Sequence, residues 1–213
     1  MSRDAPNIHF QEISNMSQDA VRTPEHSIDS IYVDRWSTRA FSGEPIPDSV
    51  LFSAFEAARW APSGGNTQPW RLIYVKRDTP QWDALFATLV ERNRQWATRA
   101  SALVLFVSNT LRTRANDQPE LLRSHSFDTG AAWSNFAHQL VKLGWATRAI
   151  GGFDREAARR LYNIPDHFSL EAVIAVGKPT DSSVLSEDFA KVDKPNSRLS
   201  VKEIVSEGKF TFA

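Results

Sequence analysis

The chain has no cysteine. That single absence excludes disulfides, thiolate metal ligands and a cysteine nucleophile, and it fits a reducing compartment. An excess of charge is also missing, because Lys plus Arg and Asp plus Glu each number 25 in 213 residues. No overall field draws nucleic acid or an anionic membrane, so any anion has to be met by locally placed arginines. Long apolar runs are lacking too: nothing approaches the roughly 20 residues of a membrane span. The first 21 residues carry Asp, Glu and Gln where a signal peptide needs an apolar centre. A soluble, cytoplasmic protein is expected. The histidines, His9, His26, His125, His138 and His167, are scattered without metal-ligand spacing, and no Ser-His-Asp arrangement stands out.

What is present suits one domain with a substantial core, or one protomer of a larger assembly: 41% of residues are hydrophobic, with 7 Trp and 13 Phe as anchors for a core or a subunit interface. Residues 1–26 are polar and hold no period, so they read as an N-terminal arm, with residues 27–213 as the domain. From Ser27, a plausible cap, Ile28, Ile31, Tyr32 and Trp36 recur at helical spacing until Ser37-Thr38. Pro47 and Asp48 open a second helix, with Val50, Leu51, Ala54, Phe55 and Ala58 on one face, and it runs to Trp60. Trp70 to Lys76 reads as a strand. Trp82, Leu85, Phe86, Leu89 and Val90 begin a third helix, expected to continue past Asn93 and Trp96 toward Arg99. Ser101 to Val107 is almost wholly apolar and short, the pattern of a strand buried on both faces. The polar stretch Leu111 to Ser126 loses its period, and Asp128 then looks like the cap of a long helix carrying Ala131, Ala132, Phe136, Leu140 and Leu143. Gly144 to Asp154 closes that helix and turns at Gly151-Gly152, a further helix runs from Asp154 to about Tyr162, and Leu170 to Gly177 is a third apolar strand.

Two stretches carry chemistry. Ala61 to Trp70, APSGGNTQPW, joins the second helix to the first strand and is dense in turn formers. Gly64 and Gly65 let a ligand approach main-chain amides, while Ser63, Asn66 and Gln68 donate and accept, so a flat molecule edged with heteroatoms could pair there. The same dipeptides also read as an ordinary helix stop. In Arg35-Trp-Ser-Thr-Arg39, an extended backbone turns alternate side chains one way, so that Arg35, Ser37 and Arg39 can address one anion. A basic pair on a solvated face is the plainer alternative.

Taken whole, Pro-Ser-x-x-Asn-x-Gln-Pro-Trp after an Ala-rich helix resembles the signature of the nitroreductase family of flavin enzymes, and supporting landmarks follow in order across residues 28–200. The resemblance implies an α+β fold, with a mixed, mostly antiparallel sheet flanked by helices, built as an intertwined homodimer. It implies FMN at the dimer interface. Arg35, Trp36, Ser37, Arg39 and Arg198 would come from one subunit, on the phosphate side. Pro62, Ser63, Gly64, Gly65 and Asn66 would come from the other, with Gln68 beside them. Asn93 matches a position that hydrogen-bonds the flavin's pyrimidine side or ribityl chain, although Trp96 replaces the basic residue usual three positions on. Gly151 and Gly152 match a segment whose backbone approaches the flavin nitrogen that takes hydride, with Gly151 where several members have Glu. Asn196 stands where some members have Lys, and Phe127 or Trp133 could line the substrate side. The implied reaction is ping-pong: NAD(P)H reduces FMN and leaves, then a nitroaromatic, quinone or similar acceptor is reduced, with no dedicated acid or base. Reductive dehalogenation within the family is an alternative, but Tyr32, Tyr74 and Tyr162 lie in no Glu-Tyr-Lys lid pattern. A flavin carrier or sensor without turnover, or a structural dimer that has lost flavin, are others.

Overall fold

The structure, a computed structural model, describes residues 22–113 and 118–212. Most of the expected N-terminal arm therefore lies outside the described residues. The centre is a sheet of β1 (Trp70–Lys76), β2 (Ala102–Asn109), β5 (Ala146–Ile150) and β6 (Phe168–Gly177) in the order β1-β2-β6-β5, and every neighbouring pair is antiparallel. A small hairpin of β3 (Leu111–Thr113) and β4 (Pro119–Leu121) stands apart from it.

Alternation along β2 explains the layering. Leu103, Leu105 and Val107 face a core with Trp82, Leu85, Trp96, Phe153 and Phe189, whereas Ala102, Val104 and Phe106 face one with Leu51, Ala54, Phe136, Leu140 and Trp145. The first core is closed by α3 (Pro80–Ala87), α4 (Glu91–Ala97) and α6 (Arg155–Leu161), and the second by α2 (Asp48–Arg59) and α5 (His125–Lys142). Such a strand must be apolar on both faces, which is what its sequence displays. The expected α+β architecture is the one observed.

Local chemistry sets the ends. Pro47 takes the N-cap position of α2 with extended backbone, with Asp48 in the first turn and Arg59 in the last, charges that complement the helix dipole. Pro80 sits in the first turn of α3, and Asp154 caps α6 by accepting from the Ala157 N–H at 2.9 Å.

Four expectations are corrected. The first helix is only α1 (Ile31–Asp34), with Ser30 rather than Ser27 before it, and Trp36 lies beyond its end. The third helix is interrupted between α3 and α4: Thr88 O accepts from Asp154 N at 2.7 Å, and Leu89 bridges to Phe153, so pairing with a distant segment of the same chain takes backbone that a continuous helix would use. The long helix begins at His125, and Asp128 is in its first turn instead of capping it. Residues 146–150, expected to belong to a turn region, form β5.

The remaining fact that positions the site is the path of residues 38–42. Ser42 N donates to Lys178 O at 2.9 Å and Thr180 N to Ala40 O at 3.0 Å, so this stretch runs beside the segment leaving β6. Phe41 is fully buried there, and a Cβ on Gly177 would sit 2.5 Å from its ring, so the close approach requires glycine. Residues 35–39 are thereby held at the end of the sheet near β5.

Candidate functional site

Arg35, Trp36, Ser37, Arg39, Arg148, Val192, Lys194, Asn196 and Arg198 line one cavity of about 250 Å³. Arg35 follows α1 with extended backbone, and its Nη1 donates to Ser37 Oγ at 3.3 Å. Arg35, Ser37 and Arg39, expected to face one way, are brought to one cavity wall. Its anchor is Asp193, whose side chain is only 1% exposed. One carboxylate oxygen accepts from Arg39 N at 2.8 Å; the other accepts from Thr38 Oγ1 at 2.7 Å and Ala40 N at 3.3 Å. Arg39 Nη1 lies 3.6 Å from the first oxygen. A single buried carboxylate therefore fixes backbone on both sides of Arg39.

Positive charge exceeds negative in this cavity. Among the described residues five cationic side chains line it and no carboxylate does, since Asp193 is used behind it. Arg35 is held below the ordinary arginine range by burial, then by the charges of Arg22 and Arg198. Arg148 is lowered by burial and then by Arg39, with Asp193 opposing. Arg22 is lowered in the same way, by burial and then by Arg198, and it donates to the carbonyls of Val33 and Arg35. Like charges gathered in a partly desolvated space are relieved by an anion. Guanidinium forks beside a serine hydroxyl suit the oxygens of a phosphate monoester.

The Pro62 to Gln68 loop lies elsewhere and does not line this cavity. Gly64, Gly65 and Asn66 form one tight turn, and Gly65, Asn66 and Gln68 have φ of 59°, 53° and 48°. Only glycine adopts such angles without cost, so Asn66 and Gln68 hold the loop in a sparsely populated shape. Asp128 secures it: its Oδ2 accepts from Gly64 N at 3.1 Å and from Ser124 Oγ at 2.9 Å. Ser63 Oγ accepts from Gln68 N at 3.0 Å. Pro62, Gly64, Gly65, Asn66 and Gln68 are exposed, so a rigid polar loop is offered outward.

Asn93 and Gly152 are brought together: Asn93 Nδ2 donates to Gly152 O at 3.0 Å, and Val90 N donates to the same oxygen at 3.1 Å. Gly151 is exposed beside them. Phe127 is 84% exposed, while Trp133 packs against Phe106 in the core. Sequence reading missed Arg148, Lys194 and Asp193. Arg148 becomes visible only with the register of β5, and Asp193-Lys194 precede Arg198 by a few residues with no period to mark them.

A Ser-His-Glu grouping also emerges that the sequence did not suggest. Ser108 Oγ lies 2.7 Å from His125 Nδ1 and donates to Glu171, which also accepts from Ser126 Oγ. It is not a hydrolytic triad, because Ser108 is fully buried and both partners converge on its hydroxyl instead of forming a relay. Among the described residues no His, Asp or Glu group could hold a metal, and no helix is long and apolar enough to cross a membrane.

An antiparallel sheet of this order thus carries a basic cavity beside residues 35–39 and an exposed polar loop elsewhere. A family model described as the nitroreductase family matches residues 32–85 and 77–178, and the chain belongs to that family. A Bacillus subtilis (strain 168) protein provisionally named NAD(P)H nitroreductase YfhC is 27% identical over 175 residues, covering 74% of this chain and 88% of that one. A crystal structure of an oxidoreductase containing FMN is 36% identical with a TM-score of 0.88, covering 93% of this chain and 100% of its own. The FMN complex of a provisionally named nitroreductase from Desulfovibrio desulfuricans superposes with a TM-score of 0.65 at 23% identity, covering 87% and 100%, a likeness of fold.

Proposed function

We propose that this protein is an FMN-dependent oxidoreductase that works as a homodimer, taking hydride from NAD(P)H and delivering it to a nitroaromatic, quinone or similar acceptor. The observation that carries the reading is the cavity in which Arg35, Ser37, Arg39 and Arg198 converge with a surplus of positive charge. A phosphate monoester is close to dianionic at neutral pH and matches that surplus. The similar oxidoreductase structure that contains FMN supports the choice of cofactor.

In this reading the guanidinium groups and Ser37 hold the phosphate, and Trp36 closes the cavity wall. The exposed loop Pro62 to Gln68 of the partner copy would offer backbone amides and the Asn66 side chain to the flavin ring. Asn93 buttresses Gly152 by the hydrogen bond to its carbonyl, fixing the backbone expected beside the ring. When bound, FMN would supply the reversible hydride chemistry. The protein's own part is to orient the ring, set the field around it and admit one partner at a time. No side chain serves as a dedicated acid or base, and solvent supplies protons. The cysteine-free composition supports a cytoplasmic setting.

Steady-state rates with NADH or NADPH varied against p-benzoquinone or a nitrofuran test the mechanism. Parallel double-reciprocal lines are expected, and lines that intersect would require both substrates bound together. A flavin carrier would leave both series flat.

A further inference from the structure

Five cations line the cavity, and among them Arg148 alone comes from a strand. Strand β5 pairs with β6 so that Arg148 stands opposite Ala175, with Ile150 opposite Val173 and Ala146 opposite Gly177 as flanking pairs. Its Nη1 donates to the Ser37 carbonyl, and its Cζ lies 5.6 Å from the centroid of the Trp96 ring. Trp96 is itself almost wholly buried, 2% exposed. The guanidinium is thus fixed by sheet pairing, a backbone acceptor and an aromatic platform, whereas Arg198 is exposed and, among the described residues, donates to the carbonyls of Asn196 and Ser197 in its own loop. A cation already ordered before binding loses less entropy when it meets an anion. Burial and then the neighbouring Arg39 hold Arg148 below the ordinary arginine range, and Asp193 opposes them only in part. A bound anion offsets that repulsion.

We infer that Arg148 is a direct ligand of the anion in this cavity, a pre-ordered guanidinium that adds to the site's selection of a phosphate-bearing flavin over its dephosphorylated form. The anion role stands on the cavity itself; that the anion is the phosphate of a flavin rests on the function proposed above. Trp96 is then the platform of a cation, and the exchange Trp96→Leu would loosen Arg148 without touching the ligand.

The test compares Kd for FMN and for riboflavin on flavin-stripped full-length protein, in wild type, Arg148→Gln and Arg148→Lys, together with the thermal shift given by inorganic phosphate alone. Losing hydrogen bonds to a charged partner predicts that Arg148→Gln weakens FMN by about 10- to 100-fold. Riboflavin affinity should stay within about twofold, and Arg148→Lys should fall between, since it keeps the charge and loses the fork. FMN and riboflavin weakened by the same factor, or FMN unaffected, would overturn the assignment and leave Arg148 a structural residue. If wild type binds neither flavin, the flavin reading fails separately, and the phosphate arm decides: stabilisation by phosphate that disappears in Arg148→Gln upholds the ligand role, and stabilisation that is unchanged or absent in wild type overturns it.

Discussion

Replacing Asp193 by Asn keeps size and shape while removing the charge behind the cavity. In the native arrangement both oxygens only accept, from Arg39 N, Thr38 Oγ1 and Ala40 N, at 2.8, 2.7 and 3.3 Å. An amide must turn its NH2 toward one of these donors, so at least one bond becomes a donor-donor contact. Hydrogen bonds to a charged group contribute about 1.5–3 kcal/mol each, and breaking a buried ion pair costs about 3–5 kcal/mol. These terms share one carboxylate and do not add, so about 3 kcal/mol is the reasoned loss. At roughly 2–4 °C per kcal/mol for a chain of this size, the melting temperature should fall by about 6–12 °C. The melt is read by calorimetry or circular dichroism on flavin-free protein at fixed concentration, because bound ligand and subunit association both shift it by mass action. Asp193→Asn melting within about 1 °C of wild type would refute the view that this carboxylate anchors residues 38–40.

Three further outcomes are expected. Arg39→Ala and Arg198→Ala should each retain FMN poorly, by about tenfold or more in Kd, with wild-type affinity falling as salt rises; equal retention would remove both from the site. If each site draws on two chains, mixing inactive Arg198→Ala protomers with inactive Asn66→Ala protomers should restore up to one intact site per mixed dimer, seen as regained flavin and activity, whereas no recovery after verified exchange would place both residues in one chain's site. Gly177→Ala would drive a methyl into the Phe41 ring 2.5 Å away and should destabilise by about 1–3 kcal/mol in urea melts, with an unchanged midpoint contradicting the packing.

Much of the fold could be read because its signals are local. The double-faced apolar run of β2, the proline-opened α2 and the helix from Asp154 each announce themselves in a few residues. The grouping of Arg35, Ser37 and Arg39 on one cavity was legible for the same reason. Failures cluster where distant partners decide. Leu89 and Val90 continue a helical period, yet backbone pairing with residues 152–154 ends the helix. Asp128 has the chemistry of a cap, but its carboxylate is used by Gly64 N and Ser124, one turn inside a helix that starts at His125. Strand β5, Ala-Thr-Arg-Ala-Ile, has modest strand propensity and forms because the long β6 offers it an edge. With it went Arg148, whose approach to residues 35–39 across more than a hundred residues no spacing could reveal.

The visible absorption spectrum of the purified protein, followed anaerobically as NADPH and then NADH is added, tests the central claim most directly. The account predicts yellow protein carrying up to one FMN per chain, bleached by at least one of the nucleotides and reoxidised by a quinone or nitroarene. Colourless protein that takes up no added FMN would contradict it.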